Sequence, residues 1–146
     1  MTKFALISIL SSMLLAPFGL GKKVWTISDD YHIAFHTKGG TGTFRGLEGI
    51  VKFDPEDLEH SQFAVFVKTD SISTGNTTKD RHARNSSWLD ATNYPRISFT
   101  SSEIRPAGDR YMVTGIVELH GVEKEVSFPF DFSPNEQGGV FEGSFL

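Results

Sequence analysis

Glu125-Val126-Ser127-Phe128-Pro129-Phe130-Asp131-Phe132-Ser133 alternates in polarity along its length. Val126, Phe128, Phe130 and Phe132 fall on one face, with Glu125, Ser127, Asp131 and Ser133 on the other. A period of two is the pattern of a half-buried antiparallel strand, apolar toward the core and polar toward water. Pro129 has no ladder donor and marks an edge or a bulge. Working outward, Val113, Gly115, Val117 and Leu119 form a second alternating set, and Ile97, Phe99 and Ser101 begin a third. Phe63-Ala64-Val65-Phe66-Val67 is apolar on both faces, the mark of a strand covered on both sides. Gly39-Gly40, Asp54-Pro55, Pro106-Ala107-Gly108-Asp109, His120-Gly121, Pro134-Asn135 and Gly138-Gly139 punctuate the runs as turns. Strands are expected near 24–28, 31–37, 42–53, 61–70, 96–104, 110–120, 122–133 and 139–146. Short strands at this spacing make an all-β sandwich or barrel. Only 75–93 has helical character, with short helices expected around 80–86 and 88–91.

At 146 residues the chain holds one domain large enough for a real core. A net charge of −4 argues against a nucleic-acid partner. Thirteen Phe stand beside no Cys, which excludes disulfides, thiolate metal sites, a cysteine nucleophile and a lipidated cysteine anchor. Lys3 followed by an apolar stretch over 4–20, broken by Pro17 and Gly19, reads as an export signal. The expected organisation is a signal peptide over 1–21, its cleavage point unassigned, and a β domain over 22–146. Periplasmic or secreted localisation follows, without stable membrane insertion once the signal is removed.

His32 and His36 are four apart, but on a strand that spacing covers roughly 13 Å, too far for one metal ion. His60 and His120 sit at turns, and no metal or other cofactor is expected. Asp80, His82 and Asp90 lie close in sequence, near Ser71, Ser73, Ser86 and Ser87, and could in principle form an acid–base site. No Gly-x-Ser-x-Gly elbow accompanies them. Asp and Ser are also what turn-rich loops use for caps, and Ser87 with Asp90 has the spacing of a capping box. No enzymatic activity is expected. Asn76-Thr77-Thr78 and Asn85-Ser86-Ser87 have the form of glycosylation sequons.

Several segments resemble the YceI-like family of polyisoprenoid-binding proteins. Thr69-Asp70-Ser71-Ile72-Ser73-Thr74, then Lys79-Asp80-Arg81-His82, then Asp90-Ala91-Thr92-Asn93-Tyr94-Pro95-Arg96-Ile97-Ser98-Phe99 are similar to that family's central segment. Trp25-Thr26-Ile27-Ser28-Asp29 resembles its opening strand, with Ser28 intervening before the acid. Gly42-Thr43-Phe44-Arg45-Gly46, Gly49-Ile50-Val51-Lys52-Phe53-Asp54-Pro55 and Gly115-Ile116-Val117-Glu118-Leu119-His120-Gly121-Val122-Glu123-Lys124-Glu125-Val126 are similar to further family motifs in the same order. The resemblance implies an antiparallel, lipocalin-like up-and-down β-barrel. It also implies binding of a polyisoprenoid or isoprenoid quinone, and is compatible with a homodimer. Family members continue past the position of Leu146, so the C-terminal strand or strands are expected to be missing, leaving an open edge.

Small barrels enclose packed side chains or one small ligand. Inward Phe residues interspersed with Gly42, Gly46, Gly49 and Gly115 suit an apolar tunnel, although the same Phe residues could fill a dry core. With the resemblance added, the expected function is sequestration or transport of an isoprenoid lipid. The proposed lining is Phe63, Val65, Phe66, Val67, Ile97, Phe99, Val126, Phe128, Phe130 and Phe132. Lys79, Arg81 and Arg84 are candidates for a head group at the mouth, a charge-assisted contact if that group is phosphate. The alternative is a filled barrel that binds a protein partner through the 71–95 loop.

Overall fold

A computed structural model describes residues 3–12, 24–136 and 138–146 of the chain. Its strands are β1 (Lys3–Ser12), β2 (Val24–Thr37), β3 (Gly40–Phe44), β4 (Glu48–Lys52), β5 (Gln62–Lys68), β6 (Arg96–Ala107), β7 (Arg110–Leu119), β8 (Val122–Asn135) and β9 (Gly138–Phe145). A single α-helix among the described residues, α1 (Thr77–Arg84), lies in the β5–β6 connection. Short 3₁₀ turns occupy Leu58–His60 and Thr69–Ser71.

All strands form one antiparallel sheet in the order β1-β9-β8-β7-β6-β5-β4-β2-β3, and β1 also pairs with β2. β3 and β4 lie against the two ends of β2 in nearly continuous register, Phe44 opposite Ile33 and Val51 opposite Trp25. They are two halves of one strand interrupted at residues 45–47, so the wall is an eight-stranded antiparallel barrel. Alternation decides what faces inward: Val65 and Val67 of β5, Val113 of β7, and Val126, Phe128 and Phe130 of β8 are all buried.

The interruption is stabilised from a distance. The Tyr31 hydroxyl accepts the Gly46 and Leu47 N–H groups at 2.8 and 3.2 Å. Ser71 Oγ accepts the Arg45 N–H at 2.7 Å. Backbone groups that leave the ladder thereby keep partners, as buried or half-buried amides must.

Several sequence expectations are corrected. Residues 24–37 make one strand, not two, and the hairpin strand over 42–53 is broken. Pro129 is not at a bulge but at a local edge, pairing with Met112 on the β7 side and with no β9 residue on the other. The β8–β9 ladder ends at Phe130–Gly143, one residue short of the proline and its missing donor. The helix begins at Thr77 because the Asn76 side chain caps it, accepting from the Thr78 and Lys79 N–H groups at 3.0 Å each. No second helix forms over 88–91. Asp90 has φ +48° and accepts the Asn93 side-chain amide, so it does not close a capping box with Ser87.

The edge of β9 is covered. β1, within the segment read as an export signal, runs antiparallel to β9 from Phe4–Phe145 to Ser12–Gly138, and to β2 from Lys3–His36 to Ser12–Thr26. Among the described residues no helix is long and apolar enough to cross a membrane.

Candidate functional site

The two ends of the barrel differ. At the end away from α1, Trp25, Phe53, Phe63, Tyr111, Phe130, Phe132 and Phe141 form a continuous aromatic plug. Phe53 is at its centre, 1% exposed, with the Tyr111, Phe130, Phe132 and Phe141 rings at centroid distances of 5.0–5.6 Å. Trp25 Nε1 donates to the Phe53 carbonyl at 2.8 Å, satisfying the indole inside the plug.

Toward α1 the packing loosens. A cavity of about 80 Å³ is bordered by Ile33, Phe44, Leu47, Val65, Val67, Ile97, Phe99, Val117 and Phe145 among others. A second, of about 40 Å³, is bordered by Val51, Phe63, Val65, Phe99, Phe128, Phe130 and Phe141 among others, and reaches the plug. The two share Val65, Phe99 and Gly143, so they lie one behind the other along the barrel with Phe99 between them.

The mouth above the first cavity is built from the β5–β6 connection. Ser73 exchanges backbone hydrogen bonds with Thr43. Arg84 reaches back from α1, donating from Nε to the Asp70 carbonyl at 2.8 Å and from Nη2 to the Ile72 carbonyl at 3.0 Å. The buried Asp80 carboxylate accepts the Thr74 hydroxyl at 2.6 Å and the Thr74 N–H at 2.8 Å. These two bonds, with the Arg84 charge behind them, hold its pKa below the usual aspartate value against the opposing effect of burial.

A family model described as the YceI-like domain matches residues 17–146. The chain belongs to the YceI-like family. Its sequence is similar to protein YceI of Shigella flexneri, 34% identical over 86 residues, covering 59% of this chain and 45% of that protein. The matched region thus spans less than half the length of that curated relative. In fold, this YceI-like protein is similar to BcnA of Burkholderia cenocepacia, with TM-score 0.65, 19% identity, and 98% and 93% of the two chains covered. It is also similar to the YceI protein of Campylobacter jejuni, with TM-score 0.61, 22% identity, and 88% and 73% covered. The family match begins at residue 17, so β1 lies outside it.

Within this YceI-like barrel the proposed lining residues separate. Val65, Phe66, Val67, Ile97 and Phe99 border the first cavity, and Phe63, Val65, Phe99, Phe128 and Phe130 the second. Val126 is buried in the core and Phe132 belongs to the plug; neither borders these cavities. Phe66 is out of phase with buried Val65 and Val67, and the Arg96 guanidinium covers its ring at 4.2 Å. Phe44, Leu47, Val117, Ile33 and Phe145 were not singled out as lining. Val117 was legible in the alternation of β7; Leu47 was not, because the break that turns it inward depends on remote hydroxyls.

The glycines do not act as empty space. A Cβ on Gly115 would meet the Phe99 ring at 2.7 Å and the Thr100 carbonyl at 2.4 Å, and one on Gly42 would meet the Phe35 ring at 2.5 Å. Aromatic rings therefore lie over Gly115 and Gly42, filling the room that the missing side chains leave.

Of the head-group candidates, Arg84 is committed to loop carbonyls, while Lys79 and Arg81 are exposed on α1. The residues that could have suggested catalysis serve the loop: Ser71 binds Arg45, Asp80 binds Thr74, and Asp90 binds Asn93. His32 and His36 are exposed on β2.

Proposed function

We propose that this YceI-like protein binds the tail of a long isoprenoid lipid or isoprenoid quinone inside its barrel. We further propose that it does so after export, shielding the lipid in periplasmic or extracellular water. The observation that carries this reading is the pair of adjoining apolar cavities leading from the α1 end to the aromatic plug. Membership of the YceI-like family supports the choice of ligand class. Burial stabilises by about 0.8 kcal/mol per CH₂, or roughly three to four kcal/mol gross per five-carbon unit. Three such units, about 10 kcal/mol gross, exceed the roughly 8 kcal/mol of a micromolar complex before association costs, and a longer tail offsets those costs as well.

The cavities must widen to admit a tail. An engineered cavity of about 150 Å³ holds one benzene, and the larger cavity here is about 80 Å³. Phe63 and Phe145, both only partly buried, and Phe99 between the cavities are the rings whose rotation would join and enlarge them.

The small volumes and the exposure of Trp88, 69% on the loop after α1, favour a second reading in which the core stays filled and the 71–95 loop binds a protein. Mass spectrometry of organic extracts from the purified protein separates the two. An isoprenoid at about one per chain supports the carrier, and extracts without lipid favour the filled core. Sedimentation of the same preparation tests the homodimer with which the family resemblance is compatible.

A further inference from the structure

Charge is distributed unevenly between the two ends of the barrel. Among the described residues, the β4–β5, β6–β7 and β8–β9 connections at the plug end hold Asp54, Glu56, Asp57, Glu59, Asp109 and Glu136, and no Lys or Arg. At the α1 end, the β2–β3 and β5–β6 connections hold Lys38, Lys79, Arg81 and Arg84, all exposed, with Asp70, Asp80 and Asp90. Of these three acids, Asp80 is buried on Thr74, Asp90 accepts the Asn93 side-chain amide, and only Asp70 is exposed. Lys68 and Arg96 close the strands on either side of this connection, while Glu118 and Glu123 flank the β7–β8 turn. In a chain of net charge −4, the α1 end is the basic one.

Exposed apolar side chains lie at the same end: Trp88 at 69%, Val122 at 66% and Tyr94 at 36%. The loop after α1 folds back on it, Leu89 donating to the Ala83 carbonyl and Ala91 to the Arg84 carbonyl, both at 3.0 Å. Its Tyr94 ring meets the His120 ring at a centroid distance of 4.9 Å. The helix, this loop and the β7–β8 turn thereby form one continuous end of the barrel. Exposed Ser86, Ser87, Thr92 and Asn93 separate its apolar side chains, so it lacks the contiguous apolar centre of a protein interface. A bilayer surface accepts such a mixture: indoles lie among the head groups, and Lys and Arg meet anionic lipid.

We propose that the α1 end docks on the surface of an anionic bilayer, with Trp88 in the head-group layer and Lys79 and Arg81 against anionic lipid. The acidic plug end is repelled by the same surface and points away, which fixes the orientation of the barrel. Docking stands without the lipid-binding reading; its use, bringing the cavity side of the barrel to the bilayer, rests on that reading.

The test mixes the full chain with isoprenoid-free vesicles of phosphatidylcholine alone, or of phosphatidylcholine with phosphatidylglycerol, and follows cosedimentation and Trp emission. Trp25 is buried in the plug and Trp88 is the other Trp, so a blue shift reports Trp88 leaving water. The mixed vesicles are expected to bind the protein and shift its emission, and the phosphatidylcholine vesicles to do neither. Lys79→Gln with Arg81→Gln weakens partition about thirtyfold, at roughly fivefold per cation. Trp88→Ser loses the blue shift. Glu56→Gln with Glu59→Gln, at the plug end, leaves partition unchanged, because screening confines the pull of the surface to about 8 Å. Equal partition onto both kinds of vesicle overturns the proposal, as does undiminished binding of the Lys79 and Arg81 variant. So does a plug-end variant that shifts partition as much as the α1 variant does. No partition onto either vesicle also overturns it and leaves the loop to a protein partner. Lipid in an organic extract bears on the lipid-binding reading alone, so the failure of one is distinct from the failure of the other.

Discussion

Phe99→Ala is the most informative single change, because one ring both supports the core and divides the interior. Phe99 is 7% exposed, lies over Gly115, packs against Phe128 at a centroid distance of 5.5 Å, and borders both cavities. Removing a buried Phe ring costs about 3–5 kcal/mol, the larger values where the surroundings cannot collapse. Here they cannot readily collapse: the walls are strands hydrogen-bonded on both sides, and the space behind the ring is already partly empty. The loss should therefore lie near the upper end of that range, within the roughly 5–15 kcal/mol of a typical domain. With a urea dependence of about 2 kcal/mol per molar, the unfolding midpoint falls by roughly 2 M. The same change joins the two cavities, so farnesol should recover more stability in the variant than in the wild type. A ligand at one hundred times its Kd contributes about 2.7 kcal/mol. Urea titrations of both proteins, with and without farnesol, measure both effects. An unmoved midpoint would show that Phe99 is not a core residue. A folded variant that farnesol stabilises less than wild type would show that the ring is a ligand contact and not a partition.

Gly115→Ala drives a methyl group into the Thr100 carbonyl and the Phe99 ring; overpacking of this kind costs about 1–3 kcal/mol by denaturant titration. Asp80→Asn should loosen the 69–95 loop at neutral pH, seen as faster amide exchange at Thr74, whose N–H the carboxylate accepts. In the wild type the Asp80 pKa lies below its ordinary value, so its contribution to stability is complete above about pH 4. That contribution is lost as the pH falls through the lower folded-state value, and loop protection, taken relative to intrinsic amide exchange at each pH, should not change in Asp80→Asn over the same acid range. Intact mass of protein recovered after export should begin beyond residue 21. A purified chain beginning at residue 24 should then self-associate on size-exclusion chromatography, because β2 and β9 each lose a partner.

The wall of the barrel was legible because alternation acts locally. The β8 sequence from Glu125 to Ser133 assigns its own two faces, as do Val113 and Val117 of β7, whereas β5, apolar on both faces, does not. Features made by distant partners were not legible. The break at residues 45–47 depends on Tyr31 and Ser71, 15 and 26 positions away. The helix start depends on reading Asn76 as a cap rather than as a sequon. Gly42 and Gly115 suggested open space because a sequence does not state which ring will lie over them.

β1 has one neighbour made early and one made late. β2 follows it within a few tens of residues, but Gly138–Phe145 is synthesised last, and long-range strand pairings are slow to form. The N-terminal segment therefore cannot be held on both sides until the chain is nearly complete. During synthesis it has an interval in which export machinery could engage it before the barrel encloses it. In the export proposed above, that interval is the time in which the segment can be drawn off as an address before it is fixed as a stave.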